Sequence, residues 1–139
     1  MSDEQRQLIK AAQTARRNAV APFSNFLVGA AVQTRSGRIY TGCNIENASY
    51  GLTVCAERVA IWKALSEGER EFVSLAVVAD TAELTPPCGA CRQIIWEYCG
   101  DVPVTLTNLA GNSEIIQMQE LLPRAFGRKF LEKDNNASP

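Results

Sequence analysis

The chain has 139 residues, with 14 Lys or Arg against 15 Asp or Glu, and its formal net charge is -1 at pH 7. This length is typical of one domain with a hydrophobic core. A nearly neutral chain has no overall positive field to hold a polyanion, which argues against a nucleic-acid partner. The start, MSDEQRQLIK, lacks the apolar stretch of a signal peptide, and no apolar run is long enough to cross a membrane. We therefore expect a cytoplasmic protein without a membrane partner.

Hydrophobic periodicity predicts alternating helices and strands along the chain. Runs with apolar residues three or four positions apart predict helices, whereas short apolar runs between turn residues predict strands. The almost wholly apolar run at 72–79 is typical of a strand covered on both faces. The predicted helices cover 3–20, 54–68, 88–99 and 118–126, the last broken at Pro123, and the predicted strands cover 27–34, 38–44, 72–79, 103–108 and 114–118.

Helices interleaved with strands predict one layered α/β sandwich. No internal repeat, low-complexity segment or linker divides the chain. We therefore expect a single domain over residues 1–130. The polar segment 131–139 has the composition of a loosely ordered tail.

The chain has five cysteines and no histidine, and two of the cysteines form the motif Pro87-Cys88-Gly89-Ala90-Cys91 at a predicted helix start. Two thiolates at this spacing can face one ion and interact with the positive end of the helix dipole. The motif fits a redox pair, half of a zinc site, or cysteines that merely pack. If it binds zinc, the remaining protein ligands must be Cys, Asp or Glu.

Cys55 is the best candidate for a third zinc ligand because it also stands at a predicted helix start. Three thiolates leave tetrahedral zinc one open position for water, which distinguishes a catalytic site from a closed structural one. Glu57 could stay outside the coordination shell and carry protons if the metal lies beyond the helix end. The non-enzymatic alternative is a four-cysteine zinc module completed by Cys43 or Cys99, in which Glu57 would have no use.

Zinc bound to three thiolates is net negative, which weakens its effect on a bound water. Arg58 directly follows Glu57, and Arg92 directly follows Cys91. Either arginine could offset the negative charge by donating to cysteine sulfur. The alternative is that both are ordinary surface arginines on helices, and the sulfur role is the one we favour for Arg58.

Cys55-Ala56-Glu57 together with Pro87-Cys88-Gly89-Ala90-Cys91 resembles the three-cysteine form of the deaminase signature. The similarity extends through SNFLVGAAV (24–32), TGCNIENASYGLTVCAER (41–58), PCGACRQ (87–93) and ELLPRAF (120–126). On these motifs the chain is identified as a member of the cytidine deaminase family, of the small homotetrameric type.

This resemblance implies a three-layer α/β sandwich with a mixed sheet of about five strands and helices on both faces. It also implies one Zn²⁺ per subunit and active sites shared within a homotetramer. The implied reaction is hydrolytic deamination of cytidine and deoxycytidine to uridine and deoxyuridine, with release of ammonia, in pyrimidine salvage.

Individual residues match positions of known function in the family. Cys55, Cys88 and Cys91 match its zinc ligands, and Glu57 matches its proton shuttle. Arg58 matches an arginine that donates to the zinc thiolates. The residues that match substrate contacts are Phe26, Asn44, Glu46 and Ala56, and those that match contributions to a neighbouring subunit's site are Ala48, Ser49, Tyr50 and Phe126.

Three positions close to Phe26 in the sequence depart from the family pattern. Val20 and Phe23 stand where tyrosines are common, and Leu27 stands where proline or a polar residue is common. These changes bear on how tightly the base pocket closes.

The main alternative to cytidine as the substrate is a modified or antibiotic cytosine nucleoside, such as blasticidin S. A deaminase of this kind would keep the zinc chemistry and change the pocket. The segment NIENASYG and Arg58 are closer to cytidine deaminases. A free nucleoside is favoured over a polynucleotide because no basic stripe is present and the carboxylate of Glu46 disfavours nearby phosphate.

Overall fold

The structure is a computed structural model that describes residues 1–132. Within that range no helix is long and apolar enough to cross a membrane. The predicted tail (131–139) lies outside the described residues from position 133 onwards. The elements are α1 (Asp3–Arg16), β1 (Val28–Thr34), β2 (Ile39–Cys43), α2 (Ala56–Ser66), β3 (Phe72–Ala79), α3 (Gly89–Cys99), β4 (Pro103–Thr107), β5 (Ser113–Gln117) and α4 (Met118–Leu121), with single 3-10 turns at Tyr50–Leu52 and Arg128–Phe130.

The five strands form one mixed sheet in the order β2-β1-β3-β4-β5. The pair β3–β4 is parallel and joined through α3, whereas the other three pairs are antiparallel. A parallel pair needs a crossover connection of this kind, whereas β1 and β2 are joined directly as a hairpin. The predicted mixed five-strand sheet is confirmed.

Helices cover both faces of the sheet, which confirms the three-layer sandwich. On one face α1 buries Leu8 and Ala12 against Ala31 of β1 and Val78 of β3. On the other face α2, α3 and α4 close a larger core, and β1 contributes its next residue, Val32, to it. Because successive side chains of a strand point to opposite faces, the apolar run in β3 can serve both cores.

The first helix ends at Arg16, four residues before the predicted end. The backbone N–H of Val20 donates to the carbonyl of Asn44 at 2.9 Å, and the carbonyl of Val20 accepts from the N–H of Glu46 at 2.8 Å. This ladder-like pairing takes the backbone groups that a longer helix would need. The departure from helix therefore brings residue 20 beside the segment that follows β2.

Two glycines allow helices to lie directly on the sheet. A Cβ at Gly29 of β1 would come within 2.7 Å of the backbone nitrogen of Arg16, and a Cβ at Gly42 of β2 within 2.5 Å of that of Ala60. Neither position has room for a side chain, so both are glycine for reasons of packing. The contact at Gly42 fixes the distance of α2 from β2 and hence the position of its first turn.

The two tryptophans, which lie on helices, differ in burial. Trp96 of α3 is partly buried against the larger core. Trp62 of α2 is 43 % exposed on the surface of the chain.

Candidate functional site

Two helix N-termini meet at a cluster of three cysteines. Cys55 is the N-cap residue of α2, and Cys88 is the N-cap residue of α3, whose sulfur accepts the backbone N–H of Cys91 at 3.5 Å. The sulfurs of Cys55, Cys88 and Cys91 all lie within 4.8 Å of one another. Both helix dipoles point their positive ends at this cluster, which favours thiolates there.

The spacing of the sulfurs fits a tetrahedral zinc ion. The Cys55 and Cys88 sulfurs are 3.9 Å apart. A Zn–S distance of about 2.3 Å in tetrahedral geometry requires sulfurs about 3.8 Å apart, and a disulfide requires about 2 Å. Within residues 1–132 the metal-sized cluster contains these three cysteines, while Cys43 and Cys99 lie outside it. The four-cysteine alternative is therefore not supported.

Arg58 supplies positive charge to the cysteine cluster. Its Nη2 donates to the Cys55 sulfur at 3.2 Å. Hydrogen bonding to Cys91, and then to Arg58, lowers the pKa of Cys55 to about 5, while the bond to Cys55 raises the pKa of Cys91 far above its ordinary value. One thiolate thus disfavours a second, and a divalent cation would remove that repulsion.

Glu57 lies in the first turn of α2 beside this cluster and is 4 % exposed. Burial, with a smaller contribution from the charge of Cys55, raises the pKa of Glu57 to about 7. An apolar environment disfavours the ionised carboxylate in this way. The carboxyl group is therefore held out of bulk water at the edge of the sulfur cluster.

A cavity of about 240 Å³ opens onto the cysteines and Glu57. Its walls come from the loop before β1, the ends of β1 and β3, the segment after β2 and the loop before α3. This volume is slightly below the range of about 300–1,000 Å³ that is typical of small-molecule sites. The lining residues are Phe26, Val28, Asn44, Glu46, Thr53, Val54, Cys55, Ala56, Glu57, Val77, Thr85, Pro86 and Cys88.

The four residues predicted to contact substrate all line this cavity. Asn44 donates from Nδ2 to the carbonyl of Phe26 at 2.7 Å and accepts the N–H of Val28 at 2.9 Å, so one of its two amide protons remains available. Glu46 accepts from the loop before Phe26 as well as facing the cavity. Both side chains therefore hold the wall together in addition to presenting polar atoms.

The residues expected to reach a neighbouring subunit lie outside their own chain's cavity. Tyr50 is 75 % exposed and meets Phe23 edge to face, with ring centroids 6.0 Å apart. Phe126 is 57 % exposed and stacks on Phe130. Ala48 and Ser49 are also exposed.

Arg92 does not contact sulfur in the described contacts, and it is not a free surface arginine either. Its Nε donates to the carbonyl of Pro87 at 2.8 Å, and its Nη1 donates to the carbonyl of Leu121 at 2.9 Å. These contacts match neither of the two roles left open for Arg92 by the sequence, the donor to sulfur and the ordinary surface arginine. The side chain ties the loop before Cys88 to the end of α4, because two backbone carbonyls lie within its reach.

The three departures from the family pattern lie beside the cavity rather than in its wall. None of Val20, Phe23 and Leu27 is among the residues that line it. Phe23 instead lines an adjoining cavity of about 320 Å³ with Tyr50. Within the described residues, the three side chains therefore make no direct contact with the cavity through which they could change its closure.

Sequence reasoning missed the apolar and hydroxyl-bearing parts of the wall and the role of Ser24. Ser24 accepts the N–H of Phe26 at 3.0 Å, a serine turn that the order Ser-Asn-Phe could have indicated. Its contact with Glu46 spans 22 residues and has no local signal. The missed lining residues are Val28, Thr53, Val54, Val77, Thr85 and Pro86.

Comparison with known proteins agrees with this geometry. Residues 2–106 match the family model described as the cytidine and deoxycytidylate deaminase zinc-binding region. A cytidine deaminase of Sporosarcina psychrophila is 53% identical over 125 residues, 89% of this chain and 92% of that protein. One of Halalkalibacterium halodurans is 54% identical over 124 residues, 88% of this chain and 94% of that protein. A blasticidin-S deaminase of Bacillus cereus is 33% identical over 109 residues, 73% of this chain and 77% of that protein.

Among solved structures, cytidine deaminase from Burkholderia pseudomallei superposes with a TM-score of 0.86 at 47% identity, over 91% of this chain and 100% of that one. The chain therefore belongs to the cytidine and deoxycytidylate deaminase family, whose members are zinc-dependent hydrolases. Its cofactor is zinc, and the Cys55, Cys88 and Cys91 group is positioned to bind a metal ion.

Proposed function

We propose that this protein deaminates cytidine and deoxycytidine by hydrolysis and releases ammonia. The observation that carries the proposal is one small cavity in which three clustered sulfurs, a buried carboxyl group and an aromatic ring all face the same space. Such a set can hold a metal, move protons and pack against a flat base. The similar proteins named cytidine deaminase support the same substrate class.

In this proposal Cys55, Cys88 and Cys91 hold zinc, and Glu57 stays outside its coordination shell. When bound, zinc supplies Lewis-acid chemistry that makes a water molecule acidic enough to be deprotonated near neutral pH. Arg58 offsets the charge of the thiolates by donating to the Cys55 sulfur. The cluster spacing of less than 4.8 Å supports the assignment of the three ligands.

Glu57 is the proposed proton carrier. It takes a proton from the attacking water and delivers it to the ring nitrogen next to the amino-bearing carbon, which makes that carbon electrophilic. The remaining hydroxide oxygen bonds to that carbon. Glu57 then carries the hydroxyl proton to the amino group, so that the C–N bond breaks, ammonia leaves and the carbonyl of the uridine product forms. Glu57 is buried and lines the same cavity as Cys55. Its carboxyl group can therefore pass these protons within the cavity, without exchange with bulk water.

Four residues are proposed to bind the nucleoside. Phe26 packs against the base, and the backbone at Ala56, on the first turn of α2, faces the base from the cysteine side. Asn44, with its remaining amide proton, and Glu46 bind the sugar hydroxyls. The acidic group at Glu46 favours an uncharged sugar over a phosphorylated one, which supports a free nucleoside and not a polynucleotide.

We also propose a homotetramer in which each site is completed by a neighbour. Tyr50, Leu52 and Phe126 are each more than half exposed, and removing such apolar surface from water favours association of subunits. In the proposed assembly Ala48, Ser49, Tyr50 and Phe126 reach the neighbour's cavity. Burial of these groups between subunits would account for their exposure in one chain.

Cytoplasmic localisation and a role in pyrimidine salvage belong to the same proposal. The three clustered cysteines must remain reduced to bind zinc, and a reducing compartment keeps them so. Deamination of free nucleosides supplies uracil nucleosides to reactions that reuse them.

The proposal is tested by following cytidine absorbance and ammonia release with the purified protein. We expect equal amounts of cytidine lost and ammonia formed, loss of activity on exhaustive chelation, and recovery on addition of zinc. No turnover by the zinc-loaded protein would refute the function. A large preference for blasticidin S over cytidine, measured in competition, would refute the substrate assignment and leave the chemistry standing.

A further inference from the structure

Ser24 connects two walls of the cavity that come from different segments of the chain. Its hydroxyl donates a hydrogen bond to Oε2 of Glu46. The oxygen of the same hydroxyl accepts the backbone N–H of Phe26 at 3.0 Å. Glu46 and Phe26 both line the cavity that contains Glu57, whereas Ser24 lies behind them and lines the adjoining one.

The hydrogen bonds of Glu46 leave one defined acceptor position for a ligand. Its Oε1 accepts the backbone N–H of Phe23 at 2.9 Å and that of Ser24 at 3.1 Å. Each carboxylate oxygen offers two acceptor positions, so Oε1 is filled and Oε2, bonded to the Ser24 hydroxyl, has one left. A hydroxyl of the ligand that reaches Glu46 must therefore bond to the oxygen that Ser24 fixes.

The same serine closes a turn that passes through the left-handed backbone region. Asn25 has a φ of 56°, a conformation that asparagine adopts more readily than most residues other than glycine. Ser24 bonds to Phe26 across Asn25, and Asn44 holds the carbonyl of Phe26 at 2.7 Å. The direction of the Phe26 ring thus depends on two polar contacts, one of them from Ser24.

We propose that Ser24 is a positioning residue for nucleosides with free sugar hydroxyls. It aligns Oε2 of Glu46 with a hydroxyl of the sugar and holds Phe26 beside the base, without itself touching the substrate. The inference rests on the proposed deamination of cytidine. It adds a reason why Glu46, with only one open acceptor, would discriminate between sugars.

The test compares cytidine with dideoxycytidine, which lacks both ring hydroxyls of the sugar, in the unchanged protein and in Ser24→Ala. Loss of a hydrogen bond to a charged group should lower kcat/KM for cytidine roughly tenfold or more. The value for dideoxycytidine should fall less, because a substrate without these hydroxyls loses only the support of Phe26, so the preference for the hydroxylated sugar narrows. Ser24→Thr keeps a hydroxyl and should restore the preference.

Ser36→Ala is the matched control. Ser36 also donates to a carboxylate, Oε2 of Glu69 at 2.9 Å, but it lies in the turn between β1 and β2, away from the cavity. Loss of the Ser36 hydroxyl should leave the preference between the two nucleosides unchanged. If Ser24→Ala gives little folded protein, Ser24→Cys, similar in size and a weaker donor, carries the same comparison.

An equal fall of kcat/KM for both nucleosides would show that Ser24 only supports the loop, and would overturn the inference. So would an unchanged kcat/KM for cytidine, or a preference that Ser24→Thr fails to restore. Each of these results leaves cytidine deamination by the unchanged protein intact. Failure of the unchanged protein to deaminate cytidine would instead refute the proposed function.

Discussion

The two ends of the cavity are built in different ways. At the metal-binding end, Cys55 and Glu57 share one helix start, and Cys88 and Cys91 share another. At the sugar-facing end, hydrogen bonds hold a loop to Glu46, and each of these bonds joins residues that are 22 or 23 positions apart in the sequence. Changes at the first end should therefore abolish chemistry, whereas changes at the second should alter affinity and selectivity.

The largest effect is expected on removing a sulfur from the metal-binding end. Cys91→Ser should lose the bound zinc and with it all but a trace of activity, because tetrahedral zinc in this set depends on three thiolates. Zinc per chain, measured by elemental analysis, is the readout. Cys43→Ser, a cysteine outside the cluster, should keep one zinc, and its loss there would contradict the division between clustered and packing cysteines.

Next in size is the effect of neutralising the buried carboxyl group. Glu57→Gln should keep its zinc and lower kcat by about three to four powers of ten, because a positioned acid and base is lost from more than one step. Steady-state assays with matched zinc content check this. Glu67→Gln, at the exposed end of the same helix, should be unchanged. Near-normal turnover in Glu57→Gln would remove Glu57 from the mechanism.

How far each end could be predicted from the sequence follows from the same difference. Cys55, Glu57, Cys88 and Cys91 stand close to recognisable helix starts, so short-range spacing was enough to indicate them. The N-termini of α2 and α3 come together only through the packing of the helices on the sheet. No periodicity in the sequence predicts the distance between them.

The polar wall was less accessible to sequence reasoning. Arg92 can donate to the carbonyl of Leu121 only because the end of α4 lies close to it. Ser24 contacts Glu46 only because Val20 pairs with the segment after β2. Both contacts are properties of the folded chain. The helix prediction past Arg16 was wrong for the same reason, since propensity was overruled by that pairing.

A third change tests whether charge at the metal-binding end matters beyond the ligands. Arg58→Gln should lower zinc affinity or kcat/KM by roughly 10- to 100-fold, since the donor to the Cys55 sulfur is lost. Competition with a chelator and steady-state kinetics measure the two quantities. Arg128→Gln, which breaks an exposed pair with Glu97 at 2.9 Å, is the control. Equal behaviour of the two variants would argue that Arg58 is not coupled to the metal site.

A fourth change asks whether packing of α2 on the sheet holds the metal-binding end in place. Gly42→Ala should lower the free energy of unfolding by about 1–3 kcal/mol, because its Cβ has no space beside the backbone of Ala60. Denaturant unfolding gives the value. Gly51→Ala, where no atom of the described residues other than its chain neighbours lies within 4 Å of the added Cβ, should change stability little. Similar losses in both would show that crowding at Gly42 is not the cause.

The smallest effect is expected far from both ends, at Glu69. Hydrogen bonds from Ser36, and then from Thr34 and Tyr40, lower the pKa of Glu69 below its ordinary value of 4.5. A lowered folded pKa adds stability that is present above pH 4.5 and is lost as pH falls through the folded value. Thermal unfolding of Glu69→Gln should therefore differ from that of the unchanged protein at neutral pH and converge with it in acid. A constant difference across that range would contradict the ionised form as the cause.

The proposed reaction requires a metal held by three sulfurs, with one position left for a non-protein oxygen. Zinc X-ray absorption on the purified, active protein measures that coordination directly. We predict three sulfur neighbours at about 2.3 Å and one oxygen or nitrogen neighbour at about 2.0 Å. A shell of four sulfurs would contradict the account.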